Sequence, residues 1–204
     1  MYTIINKFER AEILDSYIVK IAEVEDIKNI IDLIYETELN PNYEWGYGTE
    51  ADQKEKLNIL LNTTNTRFKL NNILVCKKEN QFCGFILSLD GKNIKKETLV
   101  SDFNLIKMEK NLNFKFKFLL DTICYIFYKE CAKNEYYISN IAVKKEFRGM
   151  GIAHKLLYSS YELAKNKGYN KIVLHANNDR LVDYYKNFGF KIDDLKSKKM
   201  TKDL

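Results

Sequence analysis

The chain has 204 residues, 46% of them apolar and 30% charged, and its 33 basic and 28 acidic side chains leave a net charge of +5. This balance excludes a disordered polar chain and predicts a soluble globular body with one sizeable core, read as a single domain over residues 1–204. The charges are interspersed and no basic run is interleaved with aromatics, so nucleic acid is not an expected partner.

The opening stretch MYTIINKFERAEIL lacks the apolar core of a signal peptide. No apolar run approaches the ~20 residues needed to cross a bilayer; the longest, over 118–128, is interrupted by Asp121. Cys76, Cys83, Cys124 and Cys131 form no C-x-x-C pair and only two histidines are present, so buried free thiols and no metal site are expected. These features predict a cytoplasmic protein with no membrane partner.

In chain order, Ile18–Ala22 reads as a first strand. Glu23–Glu38 carries apolar Ile27, Ile30, Ile31, Leu33 and Ile34 at helical spacing, and Asn40-Pro41-Asn42 breaks it. Tyr43–Thr49 (YEWGYGT) is aromatic and glycine-bearing and reads as a loop, followed by a helix over Gln53–Asn62. Ile73–Cys76 and Phe82–Leu89 are β-branched and aromatic runs joined by a polar hairpin turn over 77–81. Residues 92–133 form an insert read as mostly helical, although Phe114, Phe116 and Phe118 alternate with lysines in a strand-like way. Tyr137–Val143 is a strand, Ile152–Lys167 a helix closed by Gly168, and Lys171–His175 a strand. Asn178–Phe188 is a short helix stopped by Gly189, and 190–192 with 198–201 make a final hairpin. The expected fold class is α/β, a mixed sheet, mostly antiparallel, with helices on both faces.

Chemistry concentrates at Arg148-Gly149-Met150-Gly151-Ile152-Ala153, a glycine turn between a strand and a helix. Amides at a helix N-terminus point outward, and the helix dipole favours an anion there. The G-x-x-x-x-G-K-[ST] spacing of a P-loop is absent, and no third glycine completes a dinucleotide fingerprint. What remains is an anion pocket that Arg148 can strengthen with a charge-assisted contact.

The segment NIAVKKEFRGMGIAHKLL resembles motif A of the GCN5-related N-acetyltransferases (GNAT), whose R/Q-x-x-G-x-G/A signature is matched by Arg148, Gly151 and Ala153. Downstream, Asn178 to Phe190 is similar to the superfamily's N-x-x-A-x-x-x-Y-x-x-x-G-F signature and departs from it at Leu181. The resemblance implies the GNAT fold and an N-acetyltransferase that moves an acetyl group directly from acetyl-CoA to a primary amine of a small molecule or peptide. It implies that Ile141, Ala142 and Val143 lie along the pantetheine arm, with free backbone groups at Ile141 and Val143. It implies that the amides of Arg148, Gly149, Met150, Gly151, Ile152, Ala153 and His154 hold the pyrophosphate. Asn178 would contact the pantetheine region, and Tyr185 would stand near the sulfur and protonate the leaving thiolate.

The general base is open at this level. Tyr137 and Ser139 share a strand face by period-two alternation, and Glu135 begins the strand; a water chain or a residue elsewhere serves as well. His154 reads as a solvated helix residue and His175 as structural. Tyr43–Thr49 and the insert would line an acceptor pocket, where Glu44, Glu50 and Asp52 either attract a cationic amine or form plain polar surface. The alternative to an enzyme is a non-catalytic acyl-CoA-binding module. Acceptor and oligomeric state stay undecided, a homodimer among the options.

Overall fold

The computed structural model describes residues 16–204, so the N-terminal stretch read for a signal peptide lies outside the described residues. Seven strands form one sheet: β1 (Tyr17–Ile21), β2 (Ile73–Lys78), β3 (Gln81–Asp90), β4 (Tyr136–Val143), β5 (Lys171–His175), β6 (Lys191–Asp194) and β7 (Lys199–Asp203). Their spatial order is β1-β2-β3-β4-β5-β7-β6, antiparallel throughout except for the parallel pair β4–β5. The central strand β3 is buried from Phe82 to Leu89 because helices cover both of its faces.

One face carries α1 (Ile27–Thr37), the short α2 (Pro41–Trp45) and α3 (Glu50–Leu61). Ile30, Ile34, Leu57 and Leu60 pack there on Val75, Phe85 and Leu87. The insert joins this core as two helices, α4 (Ile94–Met108) and α5 (Leu112–Phe127), through Ile94, Leu105 and Phe118. Phe114 and Phe116, strand-like by alternation, lie on α5 and are exposed, because Asn111 caps that helix and only Phe118 and Thr122 are buried in it. The opposite face carries α6 (Ile152–Asn166) and α7 (Asp179–Lys186), where Leu156, Leu157 and Tyr185 meet Tyr136, Ile138 and Ile86. Ser88 and Ser160 hydrogen-bond at 3.0 Å across that buried seam.

Local chemistry fixes most boundaries. Thr49 and Asp52 cap α3 reciprocally, which starts it at Glu50 rather than Gln53. Pro41 opens α2 instead of only ending α1, since its missing N–H costs nothing at a first helical position, so a helical turn occupies part of the expected loop. The hairpin turn narrows to Glu79-Asn80, both at positive φ. Of the four cysteines, Cys124 is exposed, a departure from the expected burial, because α5 presents that side outward. Among the described residues no helix is long and apolar enough to cross a membrane.

Candidate active site

The sheet opens between β4 and β5. Their parallel pairing runs through Tyr136–Ile172, Tyr137–Val173 and Ile138–Leu174 and ends there, although β4 continues to Val143. Strand β5 itself ends one residue later, at His175, and a bulge lies at the same point of β4: Leu87 pairs with Asn140 but Ser88 pairs with Ile138, so Ser139 is an extra residue on β4. A bulge bends its strand and raises the local twist. It also resets the alternation, placing Tyr137 and Ala142 in the α1 core while Tyr136 and Ile138 belong to the α6 core. Period-two counting across Ser139 therefore fails, although Tyr137 and Ser139 both line the resulting cleft.

The hydrogen-bond phase along β4 identifies the free backbone groups. Lys144 N donates to Cys83 O at 2.9 Å, so in an antiparallel ladder Ala142 and Asn140 also face β3, and Ile141 and Val143 face away from it. Beyond Ile138 no strand of the described residues takes the groups on that side. Arg148 Nε donates to Val143 O at 3.0 Å, a contact made there by the glycine turn. Ala142 offers no free polar group, since its carbonyl lies against β3 at the position of Gly84.

The turn itself has the form of an anion cradle. Gly149 and Gly151 sit at φ 82° and 83°, a left-handed conformation that glycine adopts without strain. Gly151 is the N-cap of α6, and a Cβ on Gly149 would meet nothing within 4 Å. Among the described residues no acceptor takes the amides from Gly149 to His154, whereas Arg148 N bonds Lys145 O at 3.3 Å. A cavity of about 400 Å³ lies against this turn, walled by Val143, Ile152, Ala153, Tyr184 and Phe188. His154 packs at a tilt against Phe188 with ring centroids 5.4 Å apart, and Met150 Sδ accepts from Tyr17 Oη at 3.3 Å.

The cleft beside β4 has a volume of about 510 Å³, with Ile141, Asn178, Leu181 and Tyr185 among its walls. Asn178 Oδ1 accepts from Leu181 N at 3.0 Å and caps α7. Tyr185 is buried beside Phe190, and burial pushes its phenol up to about 12. A second cavity, about 400 Å³, adjoins the cleft and shares with it Glu44, Arg67, Glu130, Tyr137 and His175.

That shared wall holds two charged residues that sequence reading missed, Arg67 and Glu130, beside Glu44, Tyr137 and His175, which that reading named. Arg67 Nη1 pairs with Glu130 at 3.2 Å and its Nη2 donates to Ser139 Oγ at 3.2 Å. Burial works against the Arg67 charge, but Glu130 and Glu44 more than offset it and raise its pKa. The Glu44 carboxylate makes no hydrogen bond or ion pair among the described residues, and burial pushes it up to about 7 against the pull of Arg67. Asp102, on the far wall, is pushed up to about 6, again chiefly by burial. Tyr137 is raised well above its ordinary value by burial and then by Glu130. The signal that marks the shared wall is spatial: its charged residues come from α2, the segment after α3 and the loop before β4.

Other expected acids are elsewhere. Glu135 lines neither cavity; it accepts from Ala132 N at 2.7 Å and Lys199 Nζ at 3.4 Å, which makes it a structural group. Glu50 pairs with Lys54 and Asp52 caps α3, and neither reaches these cavities. His175 does line both, with its ring nitrogens 3.2 Å from Ser197 O and Glu130 O.

A family model described as the acetyltransferase (GNAT) family matches residues 33–190. N-alpha-acetyltransferase 30 of Schizosaccharomyces pombe (strain 972 / ATCC 24843) is 41% identical over 56 residues, 26% of this chain and 37% of that protein. The chain thus spans little more than a third of that curated relative. An N-acetyltransferase from Staphylococcus aureus Mu50 is 26% identical with a TM-score of 0.67, over 90% of this chain and 97% of that one. The PaiA N-acetyltransferase of Thermoplasma acidophilum, solved in complex with coenzyme A, is 18% identical with a TM-score of 0.53, over 92% of this chain and 99% of that one, a likeness of fold alone.

Proposed function

Since the chain belongs to the acetyltransferase (GNAT) family, we propose that it works as one catalytic domain that transfers an acetyl group from acetyl-CoA to a primary amine of a small molecule or peptide. The observation that carries this reading is the end of β4–β5 pairing at Ile138–Leu174, which leaves the backbone groups of Ile141 and Val143 without a strand partner beside the unclaimed amides at the start of α6. The donor set fits a pantetheine arm, which needs amide partners along its length, and a pyrophosphate, which needs converging N–H groups.

Acetyl-CoA supplies an activated acetyl thioester. The amides of Gly149 to His154, with Arg148, hold its diphosphate, and the Ile141 and Val143 backbone aligns its amide-bearing arm. The coenzyme A bound to the fold neighbour from T. acidophilum supports the same ligand class here.

Transfer forms one N–C bond and breaks one C–S bond, so an amine proton must leave and a thiolate must be stabilised. Glu44 lines both cavities at their junction and is assigned the amine proton. Its raised pKa, about 7, suits a base at neutral pH. Tyr185, with a phenol pushed up to about 12, holds its proton and donates a hydrogen bond to the sulfur. Full transfer to a thiolate of pKa ~8.5 is uphill by roughly 3.5 pH units, so the hydrogen bond is the main contribution.

The test is release of free thiol from acetyl-CoA with a panel of amines, with the acetylated amine identified by mass spectrometry. Acetyl-CoA binding without turnover on any amine would instead favour a non-catalytic acyl-CoA-binding module.

A further inference from the structure

The second cavity carries a charge pattern that the transfer reaction alone does not require. Four carboxylates line it, Glu44, Asp102, Asp121 and Glu130, against a single guanidinium, Arg67, among the described residues. Arg67 is already paired with Glu130 at 3.2 Å, which leaves three acids in excess. Tyr43 lines the same cavity, and burial, then the charges of Glu44, Asp121 and Asp102, raise its pKa. Holding several acids together in a confined, partly dry space costs free energy unless a cation joins them.

Their placement matters as much as their number. Glu44 and Glu130 stand on the wall shared with the acyl cleft, whereas Asp102 and Asp121 line only the second cavity. Asp102 projects from α4 and Asp121 from α5, so both belong to the insert. Aromatic faces fill the walls between, among them Phe118, Tyr125 and Tyr137, which suit an alkyl stem and a cation over a π face. Two buried acceptors remain unmatched: Thr98 Oγ1, in a residue 4% exposed, and Glu130 Oε2 have no hydrogen-bond partner among the described residues. The volume of about 400 Å³ is that of a small-ligand site.

We infer that the acceptor is an aliphatic di- or polyamine, with one amine at Glu44 for acetylation and a second, protonated amine held by Asp102 and Asp121. This rests on the acetyl-transfer reading of the cleft. The near ammonium loses one proton to Glu44, and its nitrogen then bonds the acetyl carbon as the C–S bond breaks. The second proton that this nitrogen sheds goes to the departing thiolate, leaving amide, thiol and protonated Glu44. The far ammonium keeps its charge throughout and supplies binding and orientation. A monoamine has nothing to place at Asp102 and Asp121, and a neutral peptide leaves them unpaired.

The experiment compares 1,4-diaminobutane and spermidine with butylamine and with an uncharged peptide bearing a free N-terminus. Thiol release and calorimetric binding are both measured, on the full chain with saturating acetyl-CoA. A preference of about tenfold or more in kcat/KM for the di- and polyamine over butylamine is expected, the fold-change of one charge-assisted contact. The Asp102→Asn/Asp121→Asn double variant should collapse that ratio toward one, with acetyl-CoA affinity as the check on folding. Equal use of butylamine or the peptide by the wild type overturns the substrate class and leaves acetyl transfer standing. Failure to bind acetyl-CoA, or binding with no turnover, overturns the transfer reading, and calorimetry of the amines alone then decides the cation site. A wild-type binding preference that survives the double variant also refutes the assignment.

Discussion

Arg67 and Glu130 meet at 3.2 Å on the wall that the acyl cleft and the second cavity share, with side chains only 10% and 11% exposed. Removing one member of a buried pair leaves the other charge uncompensated, at a cost of about 3–5 kcal/mol. Arg67→Leu is therefore expected to lower unfolding free energy by roughly that amount, measured by urea denaturation. The loss should exceed that of Glu130→Gln, because Glu44 also leans on the guanidinium. Equal, small losses would show that the pair is solvent-screened.

Glu44 gives a pH signature with a definite sign. A base must be ionised, so kcat/KM should rise with pH through about 7 and flatten above it. Glu44→Gln should lower kcat by about 100-fold and remove that limb. Stability moves the other way. The folded pKa is raised above the ordinary 4.5, so the wild type holds its full contribution below 4.5 and loses it as pH rises through about 7. Relative to wild type, Glu44→Gln should gain melting temperature at about pH 8 and not at about pH 4. A wild-type profile flat between those values would remove Glu44 from the mechanism.

Tyr185 separates chemistry from binding. Tyr185→Phe keeps the packing on Phe190 and deletes only the phenol oxygen. A fall in kcat of about 10- to 100-fold with nearly unchanged acetyl-CoA affinity is expected in steady-state and binding assays. Wild-type turnover in the variant would return Tyr185 to the role of a core aromatic.

Gly151 tests the anion cradle. At φ 83° a β-branched residue is strained by about 1–3 kcal/mol, and Gly151→Val would also tilt the first amides of α6. The prediction is a loss of acetyl-CoA affinity larger than the loss caused by Asn178→Ala, which removes one helix cap worth about 1 kcal/mol. Isothermal titration of both variants decides it; unchanged affinity in Gly151→Val sinks the cradle.

Much of this architecture is legible in the sequence, for reasons that particular residues make plain. Lys171–His175 was recoverable to the residue because a short apolar run sits between a glycine turn and an asparagine pair. Gly151 and Gly168 mark the two ends of α6 because only a left-handed residue suits either place. Local signals stop at features set by partners. Nothing in the last hairpin says that β7 pairs with β5 and leaves β6 at the edge. The acid-rich cavity is legible only in part: the sequence points to Glu44 and the insert as an acceptor pocket, but Arg67, Asp102, Asp121 and Glu130 lie on separate segments that only the fold brings together.

Ser139 carries a wider consequence. The ladder positions on either side of it are in register with β3, so excising this one residue would leave a regular strand, with the loss of the hydroxyl that Arg67 Nη2 bonds. Such a strand is expected to extend its pairing onto His175, the last residue of β5, and to narrow the opening beside it. The deletion variant should then melt higher while losing acetyl-CoA, a pairing of outcomes that thermal unfolding and titration would read together. Ligand capacity here is a matter of surplus contour length: one residue too many keeps an otherwise closable seam ajar.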